Sequence, residues 1–382
     1  MKIKEFCFDN VKIERPAARA KEPSTDHGRD ENRHNRACRT YEEALAQPEV
    51  FTNVIESQKT RLAGIAEKLR DKTIRRILIL GCGDSWIAGQ GVRAAFETLL
   101  KIPTEPFNAL EYACYEGKLL SPDDLVIGIS SGGNTAAVIS AMHKAVEAGA
   151  SAFGITNTAG SPITVEFDSC VIEATRKGWP TQSSTASMGL MIQFAIELGK
   201  RKIPGFEQKN ADFLKAFDEF PGLMREILTN ADTPMKNLAE SIKNVRFMFF
   251  CGMGPGQAAA AFGAAKVKEL CPLHAEVIPM EEFHHYRSLK PGDPLFLVAP
   301  DDISMPRAID TAEVGCFDGG KILSLTMPGS DAIEAVSNWS MEMPDVHWLL
   351  TGIAYALPFH LFAYHLSMAK YADDLGWTPA FS

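Results

Sequence analysis

The second half of the chain repeats the landmarks of the first half in the same order. Arginine, four apolar residues and a glycine turn occur at Arg76 (RILILGCGDS) and again at Arg246 (RFMFFCGMGP). Further along, the apolar run that begins at Asp124 (DLVIGIS) is matched by the run that begins at Asp293 (DPLFLVAP). Because several landmarks keep their order and spacing, the sequence predicts a duplicated domain.

Within each half, short apolar segments alternate with segments of helical periodicity. In the first half the run at Arg76 leads through GCGDS into a helical pattern, and the run at Asp124 leads through SSGGNT into another. Strands that are buried on both faces read as continuous apolar runs, and such alternation is typical of a parallel sheet covered by helices on both faces. The pattern therefore predicts an α/β fold with one doubly wound, mostly parallel sheet in each half.

The polar segments of the chain indicate where the domains begin and end. Residues 21–40 contain no Leu, Ile, Val, Phe, Tyr or Trp, so they offer little apolar surface to offset the entropy cost of ordering. We expect a flexible N-terminal arm over residues 1–40, a first domain with a lead-in helix pair over residues 41–205, a helical connector over residues 206–245, and a second domain with a C-terminal helix and tail over residues 246–382.

Composition excludes several classes of partner. The net charge of -9 and the absence of a basic run argue against nucleic acid. The eight cysteines form no CxxC pair and no Cys/His cluster, which indicates reduced thiols in the cytoplasm and no metal site. The N-terminus has no signal-peptide pattern, and the apolar region at residues 347–369 is interrupted by His and Pro, which favours a buried helix over a membrane span. We expect a cytoplasmic protein with no membrane contact and no cofactor.

Two turns of the first half offer the groups that bind an anion. Ser85 follows the first strand and residues 130–135 follow a later one, each at the start of a helix. Helix N-termini and glycine-rich turns present backbone N–H groups to negative charge. The alternative is ordinary helix capping by Ser and Thr. The second half has Asp301 and Asp302 at the corresponding turn, where two carboxylates would repel an anion, so we predict the anion site in the first half.

A possible acid/base set occurs in residues 265–287. Lys266 and Glu269 are three residues apart and share one face of a helix, where the positive neighbour favours the ionised carboxylate. His274 and His285 follow, and Glu and His are the side chains that most often transfer protons in catalysis. The alternative is a surface charge pair with two structural histidines. This stretch lies in the second half, so we predict that one half holds the substrate and the other supplies the chemistry.

Over residues 41–371 these features resemble the double sugar isomerase (SIS) domain family. In particular, they resemble the isomerase half of glucosamine-6-phosphate synthase and the fructosamine-6-phosphate deglycases. It implies two tandem five-stranded sheets, each in a flavodoxin-like three-layer sandwich. It also implies an anionic open-chain sugar as substrate and a homodimer or higher homo-oligomer.

The resemblance also implies roles for individual residues. Glu269 would move a proton between C1 and C2, Lys266 would support it, and His285 would assist ring opening, often from the neighbouring subunit. His274 completes the catalytic set at the family's spacing. The residues implied in binding the anion and the sugar are Ser85, Ser130, Ser131, Gly133, Thr135, Ser184 and Thr185.

Three departures from the family pattern limit the resemblance. The chain begins Met-Lys without a cysteine at position two, so we expect no glutaminase activity. No lysine follows Lys370, which argues against amination and leaves Trp377 to shape the sugar pocket. The usual Ser-Gln-Ser-Gly loop reads Ser-Ser-Gly-Gly from Ser130, which loses the hydroxyl at the third position, so a sulfonate such as that of a 6-sulfo sugar is an alternative to phosphate.

The expected activity is C1/C2 proton transfer on an open-chain hexose 6-phosphate derivative, with a deglycase as the first choice. Aldose-ketose isomerisation and amino-sugar-phosphate deamination use the same step and remain open. A non-catalytic sugar-phosphate sensor is the alternative from another class. A nucleotide-binding enzyme is disfavoured, because the turn after Gly81 lacks the third glycine of the dinucleotide fingerprint.

Overall fold

The computed structural model describes Cys7–Phe8, Val11–Lys12 and residues 27–116, 119–172 and 181–376. These residues form two compact units. The first unit contains the two short segments and residues 49–211, and the second contains residues 27–48 and 212–376. One helix, α1 (Glu31–Lys68), contributes its first part to the second unit and its remainder to the first.

The first unit is built around a five-stranded parallel sheet of order β4-β3-β5-β6-β7. A short antiparallel pair, β1 and β2, precedes it. The strands are β1 (Cys7–Phe8), β2 (Val11–Lys12), β3 (Arg76–Gly81), β4 (Thr104–Asn108), β5 (Asp124–Ile129), β6 (Ser151–Thr156) and β7 (Asp168–Val171). The helices after α1 are α2 (Asp84–Leu100), α3 (Ala109–Glu111), α4 (Ala136–Glu147), α5 (Pro162–Glu166), α6 (Gln182–Lys202) and α7 (Phe206–Lys209), and a π-helical turn (Tyr112–Glu116) follows α3.

Both faces of this sheet are covered by helices. Ile79, Ile127 and Phe153 are register partners on one face. Phe194 of α6 packs 4.6 Å from Phe153, and a Cβ placed on Gly89 of α2 would lie 2.9 Å from Ile79. The opposite face packs against the shorter helices through a cluster that includes Leu78, Val126, Val138, Met142 and Ile163. Three layers result, with the sheet buried between two sets of helices.

The second unit contains a parallel sheet of order β12-β11-β10-β8-β9. Its strands are β8 (Phe247–Gly252), β9 (His274–Pro279), β10 (Pro294–Ala299), β11 (Lys321–Thr326) and β12 (Trp339–Glu342). Its helices are α8 (Ala211–Ile242), α9 (Pro255–Leu270), α10 (Met280–Tyr286), α11 (Met305–Phe317), α12 (Asp331–Glu334), α13 (Thr351–Ala354) and α14 (Ala356–Ala372), and a 3₁₀ turn (Trp348–Leu350) precedes α13.

Successive residues of β8 point to opposite faces of this second sheet, which we name the Phe250 face and the Phe249 face. On the Phe250 face, Phe296 stacks 4.7 Å from Phe250 and Phe359 of α14 lies 5.3 Å from it. Gly263 of α9 also lies against Phe250, so α9 and α14 cover this face. The Phe249 face packs against α10, α11 and α12 through Phe249, Leu295, Phe283, Ala308 and Ile333.

The two sheets share one topology. In each, the first long strand lies between the second and the third, and the remaining two follow outward. The turns that open α2 and α9 match closely, because Gly83 has φ 57° and ψ -131° and Gly254 has φ 55° and ψ -131°. The prediction of two tandem doubly wound parallel sheets is confirmed.

The N-terminal segment differs from the prediction. Residues 31–40, expected in a mobile arm, lie in α1, and the expected lead-in helix pair is one helix of 38 residues. The helix begins where the Arg33 N–H donates to Asp30 Oδ1 at 2.9 Å. Composition misled here because residues 31–40 bury the small side chain of Ala37, whereas the large apolar side chains of α1, such as Phe51 and Leu62, come later in the helix. The rest of the predicted arm lies mostly outside the described residues.

The apolar region near the C-terminus is a core helix. Within the described residues, one helical segment, Trp348–Ala372, is long and apolar enough to span a membrane by length and composition. Of its most apolar 18-residue window, 89% is buried inside the protein. The burial agrees with the prediction of a buried helix for residues 347–369.

Candidate active site

Two of the predicted anion-binding turns lie at the carboxyl edge of the first sheet. β3 and β5 are parallel neighbours, so Ser85, in the first turn of α2, and Ser130, directly after β5, lie at the same edge. Ser130 is buried, and its hydroxyl lies 2.7 Å from the hydroxyl of Thr135. The Thr135 N–H also points at Ser130 Oγ, at 3.4 Å. The side chains of Ser130 and Thr135 thus bond to each other at the start of α4, and a helix N-terminus is where backbone N–H groups can bind an anion.

Gly133 fixes the shape of this loop. Its φ is +64°, in the left-handed region that favours glycine. Its N–H donates to the Ser130 carbonyl at 3.0 Å, and its own carbonyl accepts from the Ile163 N–H at 3.1 Å. A Cβ at this position would lie 2.0 Å from Ser161 Oγ and 2.7 Å from Thr156 Oγ1. Only glycine fits here without moving the neighbouring loop after β6.

A chain of side-chain hydrogen bonds joins this loop to the start of α6. Asn157 Nδ2 donates to Ser131 Oγ at 3.0 Å, and Ser183 Oγ donates to Asn157 Oδ1 at 3.0 Å. Asn157 and Ser183 were not among the predicted site residues. A positional rule would have found Asn157, because it follows β6 at the same sheet edge as Ser130 follows β5.

The two predicted sugar-binding residues of α6 have different environments. Ser184 donates to Asp84 Oδ2 at 3.3 Å, which links α6 to the first turn of α2 and adds Asp84 to the residues that the sequence did not indicate. Thr185 donates to the Gln182 carbonyl of its own helix at 3.0 Å and is 1% exposed. Of the two, Ser184 is the one that joins two site elements.

The acid/base pair is formed in the second unit. Lys266 Nζ donates to Glu269 Oε2 at 2.9 Å. The lysine side chain is 2% exposed and that of Glu269 is 29% exposed. A second cation, Arg36 on α1, brings Nη2 within 3.4 Å of the same carboxylate oxygen. Because the lysine is buried and the carboxylate is partly buried, the pair is more than a solvated charge contact.

Arg36 was missed because it lies in the segment interpreted as a mobile arm. The signal that could have placed it is the helix start, Asp30 followed by Glu31, an N-cap residue and an acidic first turn. That signal indicates a helix over Arg36. It does not indicate which distant carboxylate the arginine meets.

The structure places the two predicted catalytic histidines on β9 and α10. His274 is the first residue of β9 and is exposed. His285 lies on α10, is 64% exposed, and has Nε2 3.6 Å from Glu281 Oε1. The neighbouring His284 instead contacts Thr311 Oγ1 at 2.9 Å, and burial, with a contribution from Arg307, lowers its pKa. His285 is therefore the more accessible histidine of α10.

The second unit does not bring Glu269 and His285 together. Glu269 lies in the last turn of α9, which covers the Phe250 face. His285 lies on α10, which covers the Phe249 face. The sheet separates them, although only sixteen residues separate them in sequence.

Potential metal ligands and thiols give no sign of a further reactive centre. In the described part of the chain, no three or more His, Cys, Asp or Glu side chains are grouped so as to hold a metal ion. Burial raises the pKa of the Cys170, Cys251 and Cys271 thiols to about 12. Trp377, predicted to shape the sugar pocket, lies outside the described residues.

Comparison with known proteins identifies the first unit. Residues 68–197 match the family model described as SIS domain. They form an SIS domain. All seven predicted binding residues lie inside this SIS domain.

Relatives and solved structures extend over both units. The glutamine–fructose-6-phosphate aminotransferase (isomerizing) of Chlorobaculum tepidum is 28% identical over 342 residues, covering 86% of this chain and 55% of that relative. The chain spans about half the length of the curated relatives it matches. The C-terminal domain of the Francisella tularensis glucosamine-fructose-6-phosphate aminotransferase has a TM-score of 0.76 at 22% identity, covering 87% of this chain and 96% of that one.

A second solved structure has the same fold, and its protein is named for a different activity. Glucosamine-6-phosphate deaminase from Thermotoga maritima has a TM-score of 0.64 at 19% identity, covering 84% of this chain and 95% of that one. At these identities the likeness establishes the fold. The SIS domain of the first unit is thus followed by a second unit of the same topology, as in these structures.

Proposed function

We propose that this chain catalyses proton transfer between C1 and C2 of an open-chain hexose 6-phosphate derivative. The observation that carries the proposal is the Glu269 carboxylate, held at 2.9 Å by the buried Lys266 and at 3.4 Å by Arg36. A carboxylate can act as a general base when it is held in position, and these two contacts hold that of Glu269. The hydroxyl and amide groups around Ser130 would hold the phosphate.

The proposed step has a simple balance of bonds. Glu269 removes the proton from the carbon next to the carbonyl, the C–H electron pair forms a C1–C2 double bond, and the C=O π pair moves to the carbonyl oxygen, which takes a proton. The other hydroxyl then loses its proton and becomes the new carbonyl as the C1–C2 double bond opens towards the former carbonyl carbon. The same proton, or one from solvent, is then added to the other carbon. With hydroxyl groups on both carbons the result is aldose-ketose isomerisation.

We infer that the substrate carries nitrogen at C1, which makes the reaction a deglycation. Proton removal from C1 of a fructosamine 6-phosphate gives an enaminol, protonation at C2 gives an imine at C1, and water then releases the amine and leaves an aldose 6-phosphate. Two matched proteins support carbon–nitrogen chemistry, because one is named an aminotransferase and another a deaminase of hexose 6-phosphates. Sugar-phosphate isomerisation is the nearest alternative, since it needs the same base.

A substrate panel tests this proposal. The purified chain is incubated in D₂O with fructose 6-phosphate, glucosamine 6-phosphate, a fructosyl-amino-acid 6-phosphate and a 6-sulfo-glucose, and NMR follows the anomeric signals and the released amine. Amine release from the third compound together with deuterium at C2 supports the deglycase. Conversion of fructose 6-phosphate alone supports the isomerase. Tight binding without deuterium uptake from any of the four would overturn the enzymatic proposal in favour of a sensor.

We also propose that His285 completes the site of a second copy. Glu269 and His285 lie on opposite faces of one sheet, so a single second unit does not pair them. Mixing Glu269→Gln with His285→Ala protein should then restore about a quarter of wild-type activity, because half of random dimers are mixed and each has one intact site. Differently tagged copies, with mixed dimers isolated by tandem affinity, provide the measurement.

Two outcomes test whether His285 completes the site of a second copy. Each variant alone should remain inactive, and the isolated mixed dimers should be active. Mixed dimers with no activity above either variant alone would contradict completion by a second copy.

A further inference from the structure

Arg36 approaches Glu269 from a different helix than Lys266 does. Lys266 lies one turn before Glu269 on α9, whereas Arg36 lies in the part of α1 that belongs to the second unit. The guanidinium nitrogen Nη2 is 3.4 Å from Glu269 Oε2. The carboxylate is therefore held from two directions.

Packing onto α14 fixes the position of this part of α1. The rings of His34 and Tyr371 lie 4.0 Å apart, and those of Tyr41 and Tyr364 stack at 4.4 Å. These contacts flank Arg36 on both sides in sequence. α14 is in turn tied to the end of α9, where Ser367 Oγ donates to the Leu270 carbonyl at 2.9 Å. Rigid elements on both sides thus set the distance between Arg36 and Glu269.

Both cations contact the same oxygen of Glu269. Lys266 Nζ and Arg36 Nη2 both reach Oε2. Within residues 27–116, 119–172 and 181–376, no side-chain hydrogen bond engages Oε1. Oε1 is the oxygen that remains to accept a proton from a sugar carbon. Binding Oε2 twice fixes the rotation of the carboxylate and with it the direction of Oε1.

We propose that Arg36 is a positioning residue that holds Oε1 of Glu269 in the direction of proton transfer. This inference rests on the proposed function, with Glu269 as the base. Without Arg36, Glu269 keeps its contact with Lys266, which lies on the same helix. That single contact leaves the carboxylate free to rotate about the Lys266–Oε2 contact. Misplacement of a catalytic group by about 1 Å can lower a rate by about 100-fold.

The experiment compares three variants with the wild type. Arg36→Gln removes the charge, Arg36→Lys restores a cation, and Arg39→Gln is the matched control on the same helix, where the exposed Arg39 donates to the Asn35 carbonyl at 3.3 Å. Deuterium uptake from D₂O into the panel compound that the wild type converts gives the rate, and its dependence on sugar concentration separates kcat from KM. Circular dichroism melting reports whether each variant is folded.

We expect Arg36→Gln to lower the exchange kcat about 10- to 100-fold with KM changed by less than about threefold. Arg36→Lys should recover part of this loss, and Arg39→Gln should match the wild type. An unchanged kcat in folded Arg36→Gln would overturn the positioning role, and so would a loss confined to KM, which would indicate that Arg36 binds the sugar. No exchange by the wild type with any compound of the substrate panel would overturn the proposed function and this inference with it.

Discussion

Replacing Glu269 with glutamine should abolish deuterium uptake at C1 and C2 while the sugar phosphate still binds. Glutamine has nearly the same shape as glutamate but cannot accept the proton, and the loss of a general base lowers rates by about 10²–10⁴-fold. The phosphate is proposed to bind at the Ser130 loop of the first unit, whereas this substitution lies in the second unit. Solvent-exchange NMR on the panel compound that the wild type converts measures the first effect, and titration calorimetry measures the second.

The same substitution should also lower stability, which the experiment must separate from catalysis. Lys266 is 2% exposed, and removing the negative charge leaves its ammonium beside a neutral amide and close to the Arg36 guanidinium. A buried charge without its partner is costly, and with Glu269 29% exposed we expect a loss of about 1–3 kcal/mol of unfolding free energy. Assays are therefore run well below the melting temperature.

Glu276→Gln is the matched control, because Glu276 lies on β9 and its side chain is exposed. It should change neither exchange nor melting temperature. Exchange that persists in folded Glu269→Gln would remove Glu269 from its role as base.

The fold was predictable because the physics of a buried parallel sheet leaves a direct trace in sequence. A strand covered on both faces must be apolar throughout, so the runs at Arg76 and Arg246 carry no alternation and are hard to mistake for surface strands. The duplication strengthened the assignment of strands in each half, because the apolar runs of one half recur in the same order in the other. The two tandem parallel sheets predicted from that repetition are confirmed.

The start of α1 was not predictable by the same reasoning. The composition rule treats large apolar side chains as the driving force for order, yet this helix is held by buried Ala37, by the ring contact of His34 with Tyr371, and by the cap at Asp30. The ring contact depends on a surface that lies hundreds of residues further along the chain. Local composition carries no information about that surface.

The candidate site was likewise predictable only in part. Lys266 and Glu269 were predictable as a pair because helical spacing places them on one face. The contact of Arg36 with Glu269 is a tertiary contact between distant segments, and so is the chain from Ser131 through Asn157 to α6. His285 is the opposite case, since its closeness in sequence to Glu269 does not bring the two residues together across the sheet.

Gly133→Ala should have the second largest effect, on stability and on sugar-phosphate binding together. The added Cβ would lie 2.0 Å from Ser161 Oγ and 2.5 Å from Ser161 Cβ, and φ at this position is +64°. Left-handed strain costs a non-glycine residue about 1–2 kcal/mol, and the overlap adds about 1–3 kcal/mol. We expect about 2–5 kcal/mol less unfolding free energy and at least about tenfold weaker binding of glucose 6-phosphate, because the loop that holds Ser130 and Thr135 must move.

Two neighbouring glycines separate the causes of this effect. Gly160 has φ +75° but nothing within 4 Å of an added Cβ, so Gly160→Ala carries the strain without the overlap. A Cβ on Gly132 would meet only the flexible side chain of Asn134, at 2.8 Å. Gly132→Ala should therefore cause less backbone strain and a milder overlap than Gly133→Ala. Chemical denaturation and calorimetry should rank the losses of unfolding free energy and affinity in the order Gly132→Ala, Gly160→Ala, Gly133→Ala, from mildest to most severe. If Gly133→Ala binds glucose 6-phosphate as Gly132→Ala does, the loop after β5 does not hold the phosphate.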